Sequence, residues 1–245
     1  MTRSKTSRTA VAAAIGTALT VAISTVAFAP AFAATGDPVV TWTSQISNGE
    51  HFTYGSVPAA PTCAAVTEAN QALTCTIQGY SVEVGEHTLS AVVDVPATEI
   101  TPATQFTDPA TVTYTVDAYT LKGFYKPVKM DARNTRKAGS TVPLKFKVYV
   151  DGVKEKTPEV IKSFLAQKID CTTSAPTADP AISLLTGSKG QSLKYYDGAF
   201  HRNWKTPKLD KAVKVKGKKV VAPVCYAVTM TTQDGSALTA SFLLK

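Results

Sequence analysis

Polar and apolar residues alternate most regularly between Val142 and Val150, where Val142, Leu144, Phe146, Val148 and Val150 share one side and Lys145, Lys147 and Tyr149 the other. A period of two is that of a β-strand with one face in a core and one in water. The same pattern returns near the C-terminus, where Leu238, Ala240, Phe242 and Leu244 share a face of the run Ser236 to Leu244. Cys225 to Thr232 precedes that run, and Asp234-Gly235 lies between the two. Asp151-Gly152 and Asp197-Gly198 are pairs of the same kind. Both residue types tolerate positive φ, so all three pairs predict tight hairpin turns, the last most clearly. Earlier in the chain the runs are shorter and mix Thr and Val with aromatics: Val39 to Trp42, Phe52 to Gly55, His87 to Val95 and Thr111 to Tyr119. These too predict strands. Asn48-Gly49, Pro58 to Pro61, Gly79, Gly85 and the Pro/Thr-rich stretch Pro96 to Pro109 predict breaks between them. No helical period lasts three turns in this half, so the expected fold is all-β, built as two small antiparallel β-sandwich domains.

One stretch follows neither pattern. Ala10 to Phe28 carries no charge and follows Arg3, Lys5 and Arg8, and the run closes on Ala31-Phe32-Ala33-Ala34. A basic start, an apolar run and small residues at a cleavage point predict a signal peptide over residues 1–33, with cleavage after Ala33 first and after Ala34 second. About 19 such residues are just long enough to span a bilayer. Their weakly apolar Ala, Thr, Ser and Val composition and the break at Pro30 favour cleavage. No other segment approaches spanning length, so the mature protein is expected to be soluble and secreted, extracellular or wall-associated, with no membrane contact after cleavage.

Charge divides the remainder. Thr35 to Asp117 contains nine acids and no Lys or Arg, whereas Ala118 to Lys245 contains 23 basic residues and nine acids. The step places a domain boundary near Asp117, with an acidic β domain over 35–117 and a basic one over 118–245. Opposite charge also suggests that the two dock on each other, within one molecule or between molecules. Four cysteines, Cys63, Cys75, Cys171 and Cys225, all follow the leader. An even count in an exported chain predicts disulfides. Of the three possible pairings, Cys63 with Cys75 and Cys171 with Cys225 is expected. No CxxC spacing occurs and no histidine is close in sequence to a cysteine, so no metal site is expected.

Blocks of the second half carry a resemblance. Leu121-Lys122-Gly123-Phe124-Tyr125 with Pro127-Val128 and Met130 comes first, then Gly139-Ser140-Thr141-Val142-Pro143-Leu144-Lys145-Phe146 and Lys162-Ser163-Phe164. Tyr196-Asp197-Gly198, Asn203-Trp204-Lys205-Thr206-Pro207, Cys225-Tyr226 and Thr231-Thr232-Gln233-Asp234-Gly235-Ser236 follow in order. Over about residues 119–245 the chain resembles the PxKF domain of secreted actinobacterial proteins. Cys75 to Tyr80 and Val84 to Ala91 are similar to the bacterial Ig-like segments that often precede it. The resemblance implies two Ig-like β domains and an extracellular accessory role, with no activity to transfer. Lys208 to Val224 departs from the family pattern, which runs quickly from the Pro207 position to the cysteine.

That insertion is the sharpest candidate site. Lys205, Lys208, Lys211, Lys214, Lys216, Lys218 and Lys219 fall between positions 205 and 219, with Asp210 the one acid among them. Val213 to Lys216 alternates, and Gly217-Lys218-Lys219 is expected to form the turn before Val220-Val221 of a protruding hairpin. Clustered lysines concentrate anions and give salt-sensitive binding; lysines also keep a hairpin edge soluble. Elsewhere, His51, His87 and His201 lie beside no Gly-x-Ser-x-Gly elbow or His-Glu-x-x-His pair, and Glu83 with Glu86 suits a solvated turn better than a glycosidase pair. No catalytic residue, metal or cofactor is assigned, and neither a recognition helix nor an aromatic platform predicts sequence-specific nucleic acid. The expected function is that of a secreted, non-catalytic structural or adhesive binding module that contacts an anionic cell-wall polymer through the lysine hairpin. The alternative is a secreted inhibitor or partner-binding protein acting on another exported protein. A third class, a hydrolase with an unrecognised site, has no motif to support it.

Overall fold

The computed structural model describes residues 36–97, 102–185, 192–209, 213–215, 218–220 and 222–245. The expected signal peptide over residues 1–33 lies outside the described residues. Strands β1 (Val39–Thr43), β2 (Glu50–Thr53), β3 (Thr62–Val66), β4 (Ala72–Gln78), β5 (Gly85–Val95) and β6 (Thr104–Asp117) form one sheet in the order β1-β3-β4-β5-β6-β2. Rather than two separate sheets, this single sheet bends over its own core. Trp42 of β1 lies in one buried cluster with Leu89 and Ala91 of β5 and with Val112, Tyr114 and Val116 of β6. The Tyr114 hydroxyl donates to Ser81 O at 2.6 Å and accepts from Ser81 N at 2.9 Å, so burial of the ring leaves its polar tip paired.

Two details differ from expectation in this half. The hairpin strands β3 and β4 are additional to the predicted runs, and the disulfide Cys63–Cys75 joins them with Cα atoms 5.7 Å apart. The stretch Pro96 to Pro109 is not a break throughout, because β6 begins at Thr104 and passes through Pro109. The ladder shifts between Ser90 and Val92, which pair with Thr111 and Thr107. Asp108, Pro109 and Ala110 therefore sit in a bulge, where proline's missing N–H costs no ladder bond. The bulge also aims Asp108, whose carboxylate accepts from Trp42 Nε1 at 3.0 Å and Ala110 N at 3.0 Å.

The later strands are β7 (Thr120–Gly123), β8 (Asn134–Arg136), β9 (Thr141–Val150), β10 (Val153–Lys154), β11 (Ile161–Ile169) and β12 (Ile182–Ser183). They continue with β13 (Lys194–Tyr196), β14 (Ala199–Lys205), β15 (Val213–Val215), β16 (Lys218–Val220), β17 (Val224–Thr232) and β18 (Ala237–Leu244). In one sheet β9 pairs with β7, β10 and β14, and β14 pairs with β13. The second runs β12-β11-β17-β18-β8. The two contribute to a shared core of sandwich type. Val142, Leu144, Phe146 and Val148 of β9 meet Phe164 of β11, Val228 and Met230 of β17, and Phe242 and Leu244 of β18. Phe146 and Phe164 meet edge to face at 5.7 Å, and Trp204 meets Phe242 likewise at 5.0 Å. Full burial of each such side chain contributes about 1.5–3 kcal/mol. The expected face of β18 is inward, with Ala240, Phe242 and Leu244 buried.

Not every pairing is antiparallel: β2 runs parallel to β6 and β8 parallel to β18. Both are short strands reached by loops and not by hairpin turns, so no tight connection dictates their direction. Two of the three Asp-Gly pairs make two-residue turns with positive φ at both positions: Asp151 at 49° with Gly152 at 70°, and Asp197 at 51° with Gly198 at 69°. The third does not. Residues 233–236 separate β17 from β18, and of Asp234-Gly235 only Gly235 has positive φ. Asp234 instead points its buried carboxylate inward, accepting from Tyr119 N at 2.7 Å, from Ser236 N and Oγ, and from Thr232 Oγ1. The loop that begins the second half is thus tied to its final hairpin.

Candidate functional site

The lysine-rich insertion leaves the sheet at Lys205, the last residue of β14, and both of its feet are pinned. At the outgoing foot Thr206 is buried; its N and Oγ1 both donate to Ser140 O, at 2.8 and 2.9 Å, and Gly139 N donates to Pro207 O at 3.0 Å. Lys208 is exposed, and its stem runs beside Gly139, whose φ of +73° suits a glycine turn. At the returning foot Val224 pairs with Leu244, and Cys225 is bonded to Cys171 with Cα atoms 5.2 Å apart. This second disulfide closes a 54-residue span that contains the insertion, for which the chain-entropy model gives about 4 kcal/mol of stabilisation.

Between the feet, β15 and β16 pair antiparallel, with Lys214 opposite Lys219 and Val215 opposite Lys218. The two strands form a hairpin pairing, and Lys218 and Lys219, expected in its turn, belong to a strand. Lys211 and Lys216 lie outside the described residues. Sequence reasoning also missed a groove of about 300 Å³ at the base, lined by Lys168, Asp179, Ile182, Leu209, Val224 and Tyr226. Its rim carries an ion pair, Lys168 Nζ to Asp179 Oδ2 at 3.0 Å. That contact and a hydrogen bond from Thr177 hold the Asp179 carboxyl below its usual range.

The three histidines are dispersed. His51, on β2, faces the Asp117 carboxylate at 3.1 Å, and His87, on β5, places Nε2 2.6 Å from Glu83 O. His201, on β14, is 8% exposed and stacks against Tyr196 with ring centroids 3.8 Å apart. Burial, and then the nearby Lys145 charge, push its imidazole below the ordinary value. Glu83 and Glu86 are both exposed around the start of β5. Tyr195 packs against the core and Trp204 is buried within it, leaving Tyr196 as the exposed aromatic of that group. No group of His, Cys, Asp and Glu side chains with metal-binding geometry occurs among the described residues, and none of their helices is long and apolar enough to cross a membrane.

Fold and site together define an all-β, sandwich-type protein with two disulfides and a lysine-rich segment anchored at both ends. No protein-family model matches the chain, and no curated protein matches it.

Proposed function

We propose that this protein is exported with loss of residues 1–33 and acts outside the cell as a non-catalytic structural or adhesive module, holding an anionic wall polymer through the lysine-rich insertion. The acidic 35–117 and basic 118–245 regions act as its two domains, the second of the PxKF type. The observation that carries this reading is the anchoring of the insertion: hydrogen bonds fix one foot and a disulfide the other, while seven lysines fall between positions 205 and 219. A pinned hairpin loses less conformational freedom when a ligand orders it than a free basic tail does. Disulfides suit an oxidising extracellular compartment.

The test is a pull-down of the mature chain with purified cell walls across salt concentration. Binding at low salt that is released by high salt, and lost when Lys205, Lys208, Lys211, Lys214, Lys216, Lys218 and Lys219 become Gln, supports the proposal. A stoichiometric complex with another secreted protein that survives those substitutions overturns it in favour of an inhibitor or partner-binding role.

A further inference from the structure

The register of the first sheet of the second half assembles a charged face that no single stretch of sequence displays. With Val142, Leu144, Phe146 and Val148 turned into the core, the alternate residues of β9 lie on the outer side, and cross-strand partners share it. Lys122 of β7 stands opposite Lys147, and Lys145 and Lys194 stand on either side of His201. Lys154 stands opposite Tyr149, and Lys205 closes the row opposite Thr141. Six lysines from five strands thus share one face. Among the described residues none of the six is in an ion pair.

Like charges placed directly opposite one another destabilise a sheet, and this face has two devices that hold its charges without neutralising them. Lys122 Nζ lies 5.1 Å from the Tyr149 ring centroid and Lys147 Nζ 5.4 Å from that of Tyr125. A cation over a ring is fixed in place but keeps its full charge, unlike one paired with a carboxylate. Beside them Tyr196 is 54% exposed, with one ring face stacked on His201 and Lys194 two residues away on the same strand. An aromatic plate flanked by ammonium groups suits a ligand with sugar rings and repeating negative charge. The face ends at the foot of the lysine-rich segment, since Lys205 is the last residue of β14.

We propose that this outer face, from Lys122 to Lys205, is a second contact surface for an anionic carbohydrate polymer. The proposal rests on the polymer-binding reading above and extends it to a surface remote in sequence. Lys122, Lys145, Lys147 and Lys194 hold phosphate or carboxylate groups, and Tyr196 carries a sugar ring.

The experiment measures binding of the full mature chain to purified poly(glycerol phosphate) teichoic acid bearing sugar substituents, against sodium chloride concentration. Single-stranded oligothymidylate serves as a comparison polyanion. Four variants are compared: Lys122, Lys145, Lys147 and Lys194 to Gln; the same four to Arg; Tyr196→Ala; and, neutralising the insertion, Lys208, Lys211, Lys214, Lys216, Lys218 and Lys219 to Gln. The positions substituted on the face, except the half-buried Lys145 and Lys147, are exposed, and thermal melting confirms that each variant is folded. The expected result is at least about a tenfold loss of affinity in the Gln variant, with the salt slope falling by on the order of 3 as four cation contacts disappear. The Arg variant retains the slope, and Tyr196→Ala weakens teichoic acid binding at every salt concentration. An unchanged affinity and slope in the Gln variant, with binding abolished by neutralising the insertion, overturns this proposal and leaves the function standing. No binding by the native chain overturns both. Tighter binding of the oligothymidylate makes nucleic acid the occupant, and low-salt self-association lost in the Gln variant makes it the acidic half of a second copy; each result contradicts the proposal.

Discussion

Asp234 carries more of the second half than its place in an Asp-Gly pair suggests. Burial alone raises its carboxyl, but the bonds from Ser236, Thr232 and Tyr119 outweigh that and hold it below the ordinary aspartate range. A depressed carboxyl contributes its stability above the unfolded value and loses it as pH falls through the folded one. Asp234→Ala leaves those buried donors unanswered and is expected to cost about 3 kcal/mol in urea denaturation near neutral pH, with a variant whose midpoint is unchanged refuting the assigned role. His201 shifts in the same direction, but through burial and not hydrogen bonding. Its folded imidazole titrates below the ordinary value of 6.5, so on acidification the unfolded chain takes up the proton first. Stability should therefore fall as pH drops below about 6.5 and level off beneath the folded pKa. His201→Gln should flatten that decline, measured as the difference between variant and native melting temperatures from pH 7 to 5.

At the level of elements, β18 is an interior strand held by β17 on one side and β8 on the other, and its inward residues complete the core. Deletion of Leu238 to Lys245 is expected to abolish the cooperative melting of the second half; a truncated chain that melts as the native one does contradicts this. Gly79 is as constrained in the first half. Its φ is +80°, and a Cβ there would lie 1.9 Å from Thr88 O, so Gly79→Ala must displace β5 and should cost several kcal/mol, on the order of 3, in chemical denaturation. How legible these elements were depends on how one-sided their burial is. β9 and β18 have one face in a core and one in water, so their alternation shows directly in the sequence. β3 and β4 are mostly exposed or half-buried and rich in Ala and Thr, so their period is faint. The first residues of β6, Thr104 to Ala110, do not read as strand, because the bulge that tolerates Pro109 is a property of the ladder with β5, invisible along one strand.

Across the whole molecule, the all-β class and both disulfides were legible, since each depends on residues close in sequence or few in number. The outer lysine face was not. Lys122, Lys145, Lys147, Lys154 and Lys194 come from four strands, and only register makes them neighbours. The opposite charges of the two halves suggested electrostatic docking, yet neither ion pair among the described residues joins one half to the other. The two halves meet at their junction, where Tyr54 packs edge to face on Tyr119 at 5.9 Å. Fractionation of a producing culture into cytoplasm, wall and medium at two salt concentrations tests the central claim most directly. The proposed function predicts a protein lacking residues 1–33, retained on the wall at low salt and released to the medium at high salt. A full-length protein kept in the cytoplasm, or one free in the medium at low salt, would contradict it.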